Sequence, residues 1–201
     1  MIKIYCCDAL YFLQGIDDKS VDMILTDPMN TKDPEFNLSW LREAHRVLKD
    51  SKVLCSFCTP STLDAFIEQA KAAGFTHLKT ILRNNGMTGT AEPCILLGPA
   101  KNLPFGDEPF LPDAWGCDPA PEEEAKGFPF VAQKPLHVIK ELIEAFTKEG
   151  DLVIDFFLGS GTTAQACKET GRDFKGCELN LEFCEVARKR LGFENLYTTG
   201  Q

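Results

Sequence analysis

Long apolar stretches are missing from this sequence, and no run approaches the roughly 18 consecutive apolar residues that indicate a membrane-spanning helix. The first residues, MIKIYCCDAL, do not place a charged segment before an apolar core, as a secretory signal peptide would. Hydrophobic residues make up 44% of the 201 positions and charged residues 25%, as in globular proteins that bury their own core. We therefore expect one cytoplasmic domain over residues 1–201 that makes no membrane contact.

Positive charge is also scarce, since 21 Lys and Arg residues oppose 30 Asp and Glu residues and give a formal net charge of −9. This balance excludes a protein that holds nucleic acid through a broad basic face. The range 98–130 is especially acidic and is rich in Pro and Gly. We expect a long loop or small insertion there, which would repel a phosphate backbone.

Paired metal-ligand motifs are absent as well. Nine cysteines occur, including CC at 6–7 and CSFC at 55–58, and these lie in apolar, strand-like runs. We expect buried free thiols in a reducing compartment. Cys55 and Cys58 have a spacing seen in zinc sites, but no second such pair or paired His accompanies them, so no metal is expected.

Strand-like and helix-like segments alternate along most of the chain. This alternation predicts βαβ units, and therefore an α/β fold whose mostly parallel sheet has helices on both faces. Segments HLKTILRN and AEPCILLGP flank a glycine-containing connection, which indicates a hairpin at the edge of the sheet. Helices are predicted over 38–50, with Ser39 as a cap, and over 61–75, with a Ser or Thr cap and Gly74 at the end.

The stretch VIDFFLGSGTTAQAC combines a strand, a glycine turn and a helix start. The strand ends at Asp155, Gly159-Ser160-Gly161 turns the chain, and Thr162-Thr163 opens the helix. Glycines let backbone approach a ligand closely, and a helix N-terminus offers free N–H groups. The spacing fits neither a dinucleotide fingerprint nor a Walker loop.

An acidic residue follows this loop at a spacing seen in nucleoside-binding folds. Glu178 ends the next strand, about 20 residues after the glycines, where an acidic side chain can accept both ribose hydroxyls of a nucleoside cofactor. The alternative is that Glu178 only caps the last helix. The pairing of a glycine loop with an acidic strand end favours the ligand role.

Three motifs in this order resemble a known family. DFFLGSGTT resembles the S-adenosylmethionine loop of the DNA amino-methyltransferases, TDPMN resembles their catalytic Asp-Pro-Pro-Tyr segment, and AQKP at 132–135 resembles their Gln-Lys-Pro element. The catalytic segment precedes the cofactor loop, which resembles the permuted order of the β group. The resemblance covers most of 1–98 and 131–195. It implies a Rossmann-like S-adenosylmethionine-dependent methyltransferase fold and methyl transfer to an exocyclic amine of DNA.

The resemblance also implies roles for single residues. Asp27 and the Pro28 carbonyl would each accept an N–H of the target amine, and Asp before Pro favours adenine N6 over cytosine N4. Asp8 would lie near the cofactor adenine or cap the first helix, and Lys134 with Gln133 would lie near the methionine end. Glu92 resembles a recurring hairpin carboxylate that is expected to be structural. The implied catalytic segment is Asp27, Pro28, Met29 and Asn30, and the implied cofactor-binding set is Asp8, Ala9, Lys134, Asp155, Phe157, Gly159, Ser160, Gly161, Thr162, Thr163, Glu178 and Leu179.

Asn30 departs from the family pattern, because an aromatic ring is expected there to stack on the extruded target base. Base–aromatic stacking contributes roughly 1–3 kcal/mol. One explanation is that another ring, such as Phe36, Trp40 or Trp115, covers the base. The alternative for Phe36 and Trp40 is that they pack in the core. Another explanation is an already unstacked substrate, such as RNA or single-stranded nucleic acid, and a third is a cofactor-binding partner subunit without catalytic activity.

Few basic residues are placed to hold DNA. Lys32 and Arg83 flank the expected active-site mouth, and Arg188-Lys189-Arg190 form a cluster expected on a solvated helix face. Because phosphate contacts supply much of DNA affinity, we expect this chain to bind duplex DNA weakly on its own. A homodimer or a partner subunit would supply the missing surface.

Overall fold

Eight strands form one sheet in the order β1-β8-β7-β2-β3-β5-β4-β6 in the computed structural model, which describes residues 1–28, 39–85, 90–98, 112–116 and 133–193. The strands are β1 (Ile2–Cys6), β2 (Val21–Thr26), β3 (Leu48–Phe57), β4 (Thr76–Asn85), β5 (Thr90–Gly98), β6 (Ala114–Trp115), β7 (Leu152–Asp155) and β8 (Asp173–Glu178). The helices are α1 (Ala9–Gln14), α2 (Leu41–Val47), α3 (Leu63–Ala72), α4 (Leu136–Phe146), α5 (Thr162–Glu169) and α6 (Leu181–Arg190). In these ranges no helix has the length and apolarity to cross a membrane.

The middle of the sheet is parallel and buried on both faces. β2 pairs in parallel with β3 and β7, β7 pairs with β8, and β8 pairs with β1. All six residues of β2 are buried, as expected for a central parallel strand covered by helices on each side. β5 runs antiparallel to both β3 and β4, so the predicted hairpin is confirmed.

Among the described residues, three helices cover each face of the sheet. Buried side chains of α1, α2 and α3 pack with Ile24, Leu54 and Ile154 on one face. Those of α4, α5 and α6 pack with Leu25 and Val53 on the other. This arrangement confirms the α/β fold expected from the alternating pattern, and it brings the carboxyl ends of the parallel strands to one edge.

The predicted helix over 38–50 ends earlier than expected. It stops at Val47, and Leu48 already belongs to β3 because it pairs with Val21 of the neighbouring strand. The predicted Ser39 cap is wrong, since Trp40 holds the N-cap position without a side-chain hydrogen bond. α3 has Thr62 at its N-cap, as predicted, but without a side-chain cap hydrogen bond, and a short 3-10 turn over Pro60–Thr62 leads into it.

The acidic range 98–130 contributes to the sheet. Ala114–Trp115 form β6, which pairs in parallel with β4 outside the hairpin, so the hairpin is not the edge of the sheet. Trp115 is buried in the same cluster as α4. The expected loop or insertion otherwise lies outside the described residues.

The cysteines are mostly as expected. Eight described cysteines are free and six of them are buried, whereas Cys6 is exposed and Cys7 half-buried, so burial was wrongly expected for the CC pair. Burial raises the pKa of the Cys55 thiol well above its ordinary value, which keeps it protonated. Among the described residues no cluster of His, Cys, Asp and Glu could hold a metal ion.

Candidate active site

A pocket of about 700 Å³ lies at the carboxyl ends of four adjacent strands. Asp8 follows β1, Asp27 follows β2, Asp155 ends β7 and Glu178 ends β8, and all four line the pocket. Ligands of open α/β sheets bind at this edge, and a volume of several hundred cubic ångströms suits a nucleoside-sized molecule. The fold therefore brings together acidic residues that are up to 170 positions apart in sequence.

The two glycines of the turn do different things. Gly159 lines the pocket at φ +52, and a Cβ placed on it would meet nothing within 4 Å. Gly161 has φ +84, and its Cβ would lie 2.8 Å from the Cβ of Ala187 in α6. Gly159 therefore leaves room for a ligand, whereas Gly161 lets α5 pack against α6.

The Asp155 carboxylate accepts three hydrogen bonds around the glycine turn. Oδ1 accepts hydrogen bonds from the Thr26 hydroxyl at 2.9 Å and from the Phe157 N–H at 3.1 Å, and Oδ2 accepts from the Thr163 hydroxyl at 2.8 Å. Its burial raises the pKa of the Asp155 carboxyl to about 7, although these three donors favour the ionised form. Asp155 thus fixes the start of α5 relative to β2 from the pocket wall.

Arg190 of α6 also contacts the glycine turn and the start of α5. Its guanidinium donates to the Ser160 hydroxyl at 3.2 Å and to the Thr162 hydroxyl at 2.7 Å. Arg188 donates to the Ile4 carbonyl at 3.3 Å. The expectation that this basic cluster is only a solvated face is therefore wrong for both arginines.

Glu178 connects the loop with the start of α6. Its Oε2 accepts from the Gly159 N–H at 2.9 Å and its Oε1 from the Asn180 N–H at 2.9 Å. The N-cap of α6 is Asn180, whose side chain accepts from the next N–H groups, so Glu178 does not cap that helix. Its carboxylate remains a wall of the pocket.

Asp8 has one of the two roles expected for it, the cap of α1. Its Oδ1 accepts from the Leu10 N–H at 2.8 Å and the Tyr11 N–H at 3.3 Å, which caps α1. It also lines the pocket beside Ala9. Capping fixes the carboxylate at the mouth of the pocket.

Asp27, which also lines the pocket, contacts Lys134. The Lys134 ammonium donates to Asp27 Oδ2 at 2.5 Å, lies 3.1 Å from Glu92 Oε1, and stands 5.0 Å from the centre of the Phe57 ring. Burial alone would lower the pKa of Lys134, but attraction to the two carboxylates raises it and keeps the side chain charged. Pro28 is buried, and Met29 and Asn30 lie outside the described residues.

The pocket walls combine apolar surface with negative charge. Of the twelve residues in the expected cofactor set, all but Gly161 line the pocket. Several further residues line the pocket without having been predicted, and most of them lie within three positions of Asp27, Asp155 or Glu178, which is the signal that could have found them. The pocket-lining residues without a predicted role are Leu25, Thr26, Phe57, Ile139, Phe156, Leu158, Asn180 and Phe183.

This lining fits a nucleoside cofactor that carries positive charge. Glu178 and Asp8 offer carboxylates at one end, and apolar side chains such as Phe157 and Leu179 offer surface to a base. The open side of Gly159 gives the space for close approach. Carboxylates in the lining outnumber the single ammonium of Lys134, which favours a cationic ligand.

Two rings considered as covers for a target base belong to the core. Trp40 is 2% exposed and packs edge-on against Phe66 and Phe156. Trp115 is 7% exposed, and its indole N–H donates to Glu141 Oε2 at 3.2 Å. Neither is available to stack on a base, and Phe36 lies outside the described residues.

Arg83 is not at the mouth of the pocket as expected. It is 7% exposed, and its Nε and Nη2 both lie 2.8 Å from Glu92 Oε2. A buried guanidinium that is bound to a carboxylate cannot contact DNA phosphates. Lys32, the other basic residue expected there, lies outside the described residues.

Comparison with known proteins gives consistent findings. Residues 99–189 match a family model described as DNA methylase. The type II methyltransferase M.HpaI of Haemophilus parainfluenzae is 26% identical over 96% of this chain and 74% of its own length. The DNA adenine methyltransferase YhdJ of Escherichia coli (strain K12) is 27% identical over 95% of this chain and 83% of its own. The solved M1.HpyAVI–SAM complex is 26% identical with a TM-score of 0.78, covering 95% of this chain and 99% of that one.

Proposed function

We propose that this chain, which belongs to the S-adenosylmethionine-dependent DNA amino-methyltransferases, methylates adenine at N6. The family membership makes S-adenosylmethionine the methyl donor and DNA bases the acceptors. The observation that carries the proposal is the pocket itself, because it joins the Glu178–Gly159 cofactor end to the Asp27–Lys134 end in one space.

The cofactor end would be held by residues whose positions the fold already fixes. Glu178 would accept the ribose hydroxyls, and Asp8 with Leu179 would contact the adenine. Gly159 and Ser160 would bring backbone close to the ligand. When bound, the cofactor supplies a methyl group activated by its positively charged sulfur.

The target amine would be directed by Asp27 and Pro28. The lone pair of an exocyclic amine is delocalised into the base, so the nitrogen is a poor nucleophile. Asp27 Oδ1 and the Pro28 carbonyl would each accept one N–H, which favours a pyramidal nitrogen with its lone pair facing the methyl group. Among the described residues, Lys134 donates to Asp27 only at Oδ2, which leaves Oδ1 for this contact.

The carboxylate also stabilises charge during transfer. As the new C–N bond would form, the methyl–sulfur bond would break and leave a neutral thioether. Positive charge would then develop on the nitrogen, and the fixed carboxylate of Asp27 would lower the barrier. The nitrogen then loses one of its two protons to solvent. Asp27 is held by Lys134 before the substrate arrives, so little reorganisation is needed.

Adenine is the preferred base on two grounds. Asp, rather than Ser, precedes Pro28, and this residue is typical of the adenine enzymes in the resemblance above. The relative YhdJ is named a DNA adenine methyltransferase. Cytosine N4 is the alternative target of the same geometry.

A non-duplex substrate is the second candidate. Asn30 offers no ring, and Trp40 and Trp115 are both packed in the core. An already unstacked base needs no stacking partner to keep it extruded. Single-stranded DNA or RNA would therefore react faster than duplex DNA if no other ring covers the base.

Duplex binding by this chain alone is proposed to be weak, with a homodimer or partner subunit supplying further contacts. The net charge of −9 and the burial of Arg83 support this. A Kd for bare duplex below about 10⁻⁸ M, within the specific range, would contradict it. We propose further that residues 1–201 act as one methyltransferase domain.

The test of the proposed function is the identity of the methylated nucleoside. The protein is incubated with labelled S-adenosylmethionine and unmethylated genomic DNA, native and heat-denatured, and the digested nucleosides are separated. Label in N6-methyladenine supports the proposal, and faster labelling of denatured DNA supports the second candidate. Label only in N4-methylcytosine, or none in any DNA form, would overturn it.

A further inference from the structure

We propose that Glu92 is a positioning residue for methyl transfer, acting through Lys134 to hold Asp27 in its reactive orientation. This inference rests on the proposed function and deepens it, because it extends the reactive centre beyond the residues that touch the target base. Glu92 itself lines no part of the pocket, so its effect must pass through the side chains between it and Asp27.

The contacts form one continuous chain of charges. Arg83 Nε and Nη2 each lie 2.8 Å from Glu92 Oε2, and Glu92 Oε1 lies 3.1 Å from the Lys134 ammonium. The same ammonium donates to Asp27 Oδ2 at 2.5 Å and stands 5.0 Å from the centre of the Phe57 ring. The ammonium is thus held by two carboxylates and one ring face, which leaves it a single position.

The sheet supplies these groups from four strands in succession. Arg83 on β4 and Glu92 on β5 are a cross-strand pair, Phe57 ends β3, and Asp27 directly follows β2. β4, β5, β3 and β2 are neighbours in that order. The contacts therefore run across the sheet toward the pocket, and Lys134, which lies just before α4, joins Glu92 to Asp27.

Asp27 is the most exposed member of this network, and the other three side chains are more deeply buried. The side chains of Arg83, Lys134 and Glu92 are 9%, 8% and 20% exposed, whereas that of Asp27 is 36% exposed. Buried ion pairs are weak contributors to stability, because desolvation offsets their attraction. A buried network that ends at one half-open carboxylate in a pocket is better explained by orientation of that carboxylate than by stability.

The charges also explain why a second carboxylate is needed. Two carboxylates and two cations sum to zero, so the network can be buried without a net charge. If Lys134 faced Asp27 alone, the ammonium would neutralise it fully and weaken its attraction for positive charge on the target nitrogen. Because Glu92 shares the ammonium, Asp27 keeps part of its negative potential, and Arg83 holds Glu92 in turn.

The experiment compares three variants in two measurements. Glu92→Gln keeps the size of the side chain and removes its charge. Arg83→Gln/Glu92→Gln removes both charges and leaves no unpaired guanidinium. Glu169→Gln is the matched control, because Glu169 pairs with Lys140 on the α5–α4 contact away from the pocket. Each is assayed for equilibrium cofactor binding and for the single-turnover methylation rate with cofactor saturating.

We expect Glu92→Gln to lower the single-turnover rate by about tenfold or more, the equivalent of one pK unit of differential interaction. Cofactor Kd should change by less than about twofold, well under one power of ten in binding. The double variant should remain slow, because Asp27 still faces Lys134 alone, and Glu169→Gln should match the wild type. If Glu92→Gln alone does not fold, the single-turnover rate of the double variant tests the proposal instead.

Two results would overturn the inference alone. One is a wild-type rate in Glu92→Gln. The other is recovery of the wild-type rate in the double variant, which would show that the single change acted only by leaving Arg83 unpaired. A wild-type protein that methylates no nucleic acid would overturn the proposed function, and this inference with it.

Discussion

The Gly159 N–H donates to Glu178 Oε2 over 2.9 Å, so the cofactor loop and the end of β8 are joined directly. The sequence showed a glycine loop and an acidic residue about 20 positions later, a spacing seen in nucleoside-binding α/β folds. The structure shows that the two also hold each other. A change at Glu178 therefore removes a ligand contact and a loop contact together.

Glu178→Gln is expected to weaken S-adenosylmethionine binding by roughly tenfold to a hundredfold, since hydrogen bonds to charged groups contribute about 1.5–3 kcal/mol. Isothermal titration calorimetry measures the Kd directly. Glu182→Gln is the control, because Glu182 is exposed on the first turn of α6. Equal affinities for wild type and Glu178→Gln would contradict a ribose contact.

Ala substitutions at Gly159 and Gly161 are expected to have different effects on stability and on cofactor binding. Gly161→Ala would push a methyl group to 2.8 Å from Ala187 at a φ of +84, and such overpacking typically costs about 1–3 kcal/mol of stability. Gly159→Ala meets nothing within 4 Å, so it should lose less stability but place a methyl group where the ligand approaches. Thermal unfolding with and without cofactor separates the two. The same loss of stability in both variants would contradict the distinction.

Asp155 should make stability depend on pH in a defined direction. Burial raises its folded pKa to about 7, whereas the unfolded value is about 3.9. The folded state therefore binds more protons between these values, and this group's contribution to stability falls as pH rises from about 4 to 7, then levels off. Asp155→Asn keeps an acceptor for the Phe157 N–H and cannot ionise.

The stability of Asp155→Asn relative to wild type should therefore rise over that pH range. Urea unfolding at pH 5, 6, 7 and 8 measures the free energy of unfolding of both proteins. A difference between them that is independent of pH would show that Asp155 ionises normally, against its burial.

Trp115 is expected to affect folding and not catalysis. It is buried and donates to Glu141, so Trp115→Ala should lower the free energy of unfolding by about 3–5 kcal/mol. Trp115→Phe keeps most of the ring and should cost less, with a normal methylation rate per folded molecule. Urea unfolding and single-turnover assays check both parts. A large loss of rate in folded Trp115→Phe would show that this ring acts on the target base after all.

Much of this site follows from local sequence, for a physical reason. Strand ends and glycine turns are encoded by nearby residues, so Asp27, Asp155, Gly159 and Glu178 could be located by pattern alone. Parallel strands then place those ends at one edge of the sheet. The location of the pocket at that edge therefore follows from the order of strands and helices.

The remainder depends on contacts between distant residues. Lys134 and Asp27 are 107 positions apart, and no local pattern indicates that Glu92 shares the same ammonium. Leu48 has helical surroundings in sequence but pairs with Val21 in the sheet, so tertiary pairing decides its state. Trp115 lies in an acidic stretch whose sequence predicts a loop. Its burial is explained by its packing with residues of α4.

The most direct test of the account is to measure cofactor binding and methyl transfer together in Asp27→Ala. Asp27 and Glu178 both line the pocket, but they lie at the ends of β2 and β8, which β7 separates in the sheet. The account predicts a loss of transfer of about a hundredfold or more, as for removal of a fixed charge-stabilising group. It predicts a cofactor Kd within about threefold of wild type, a small fraction of the binding free energy. Full transfer activity in Asp27→Ala, or a parallel loss of binding and transfer, would contradict it.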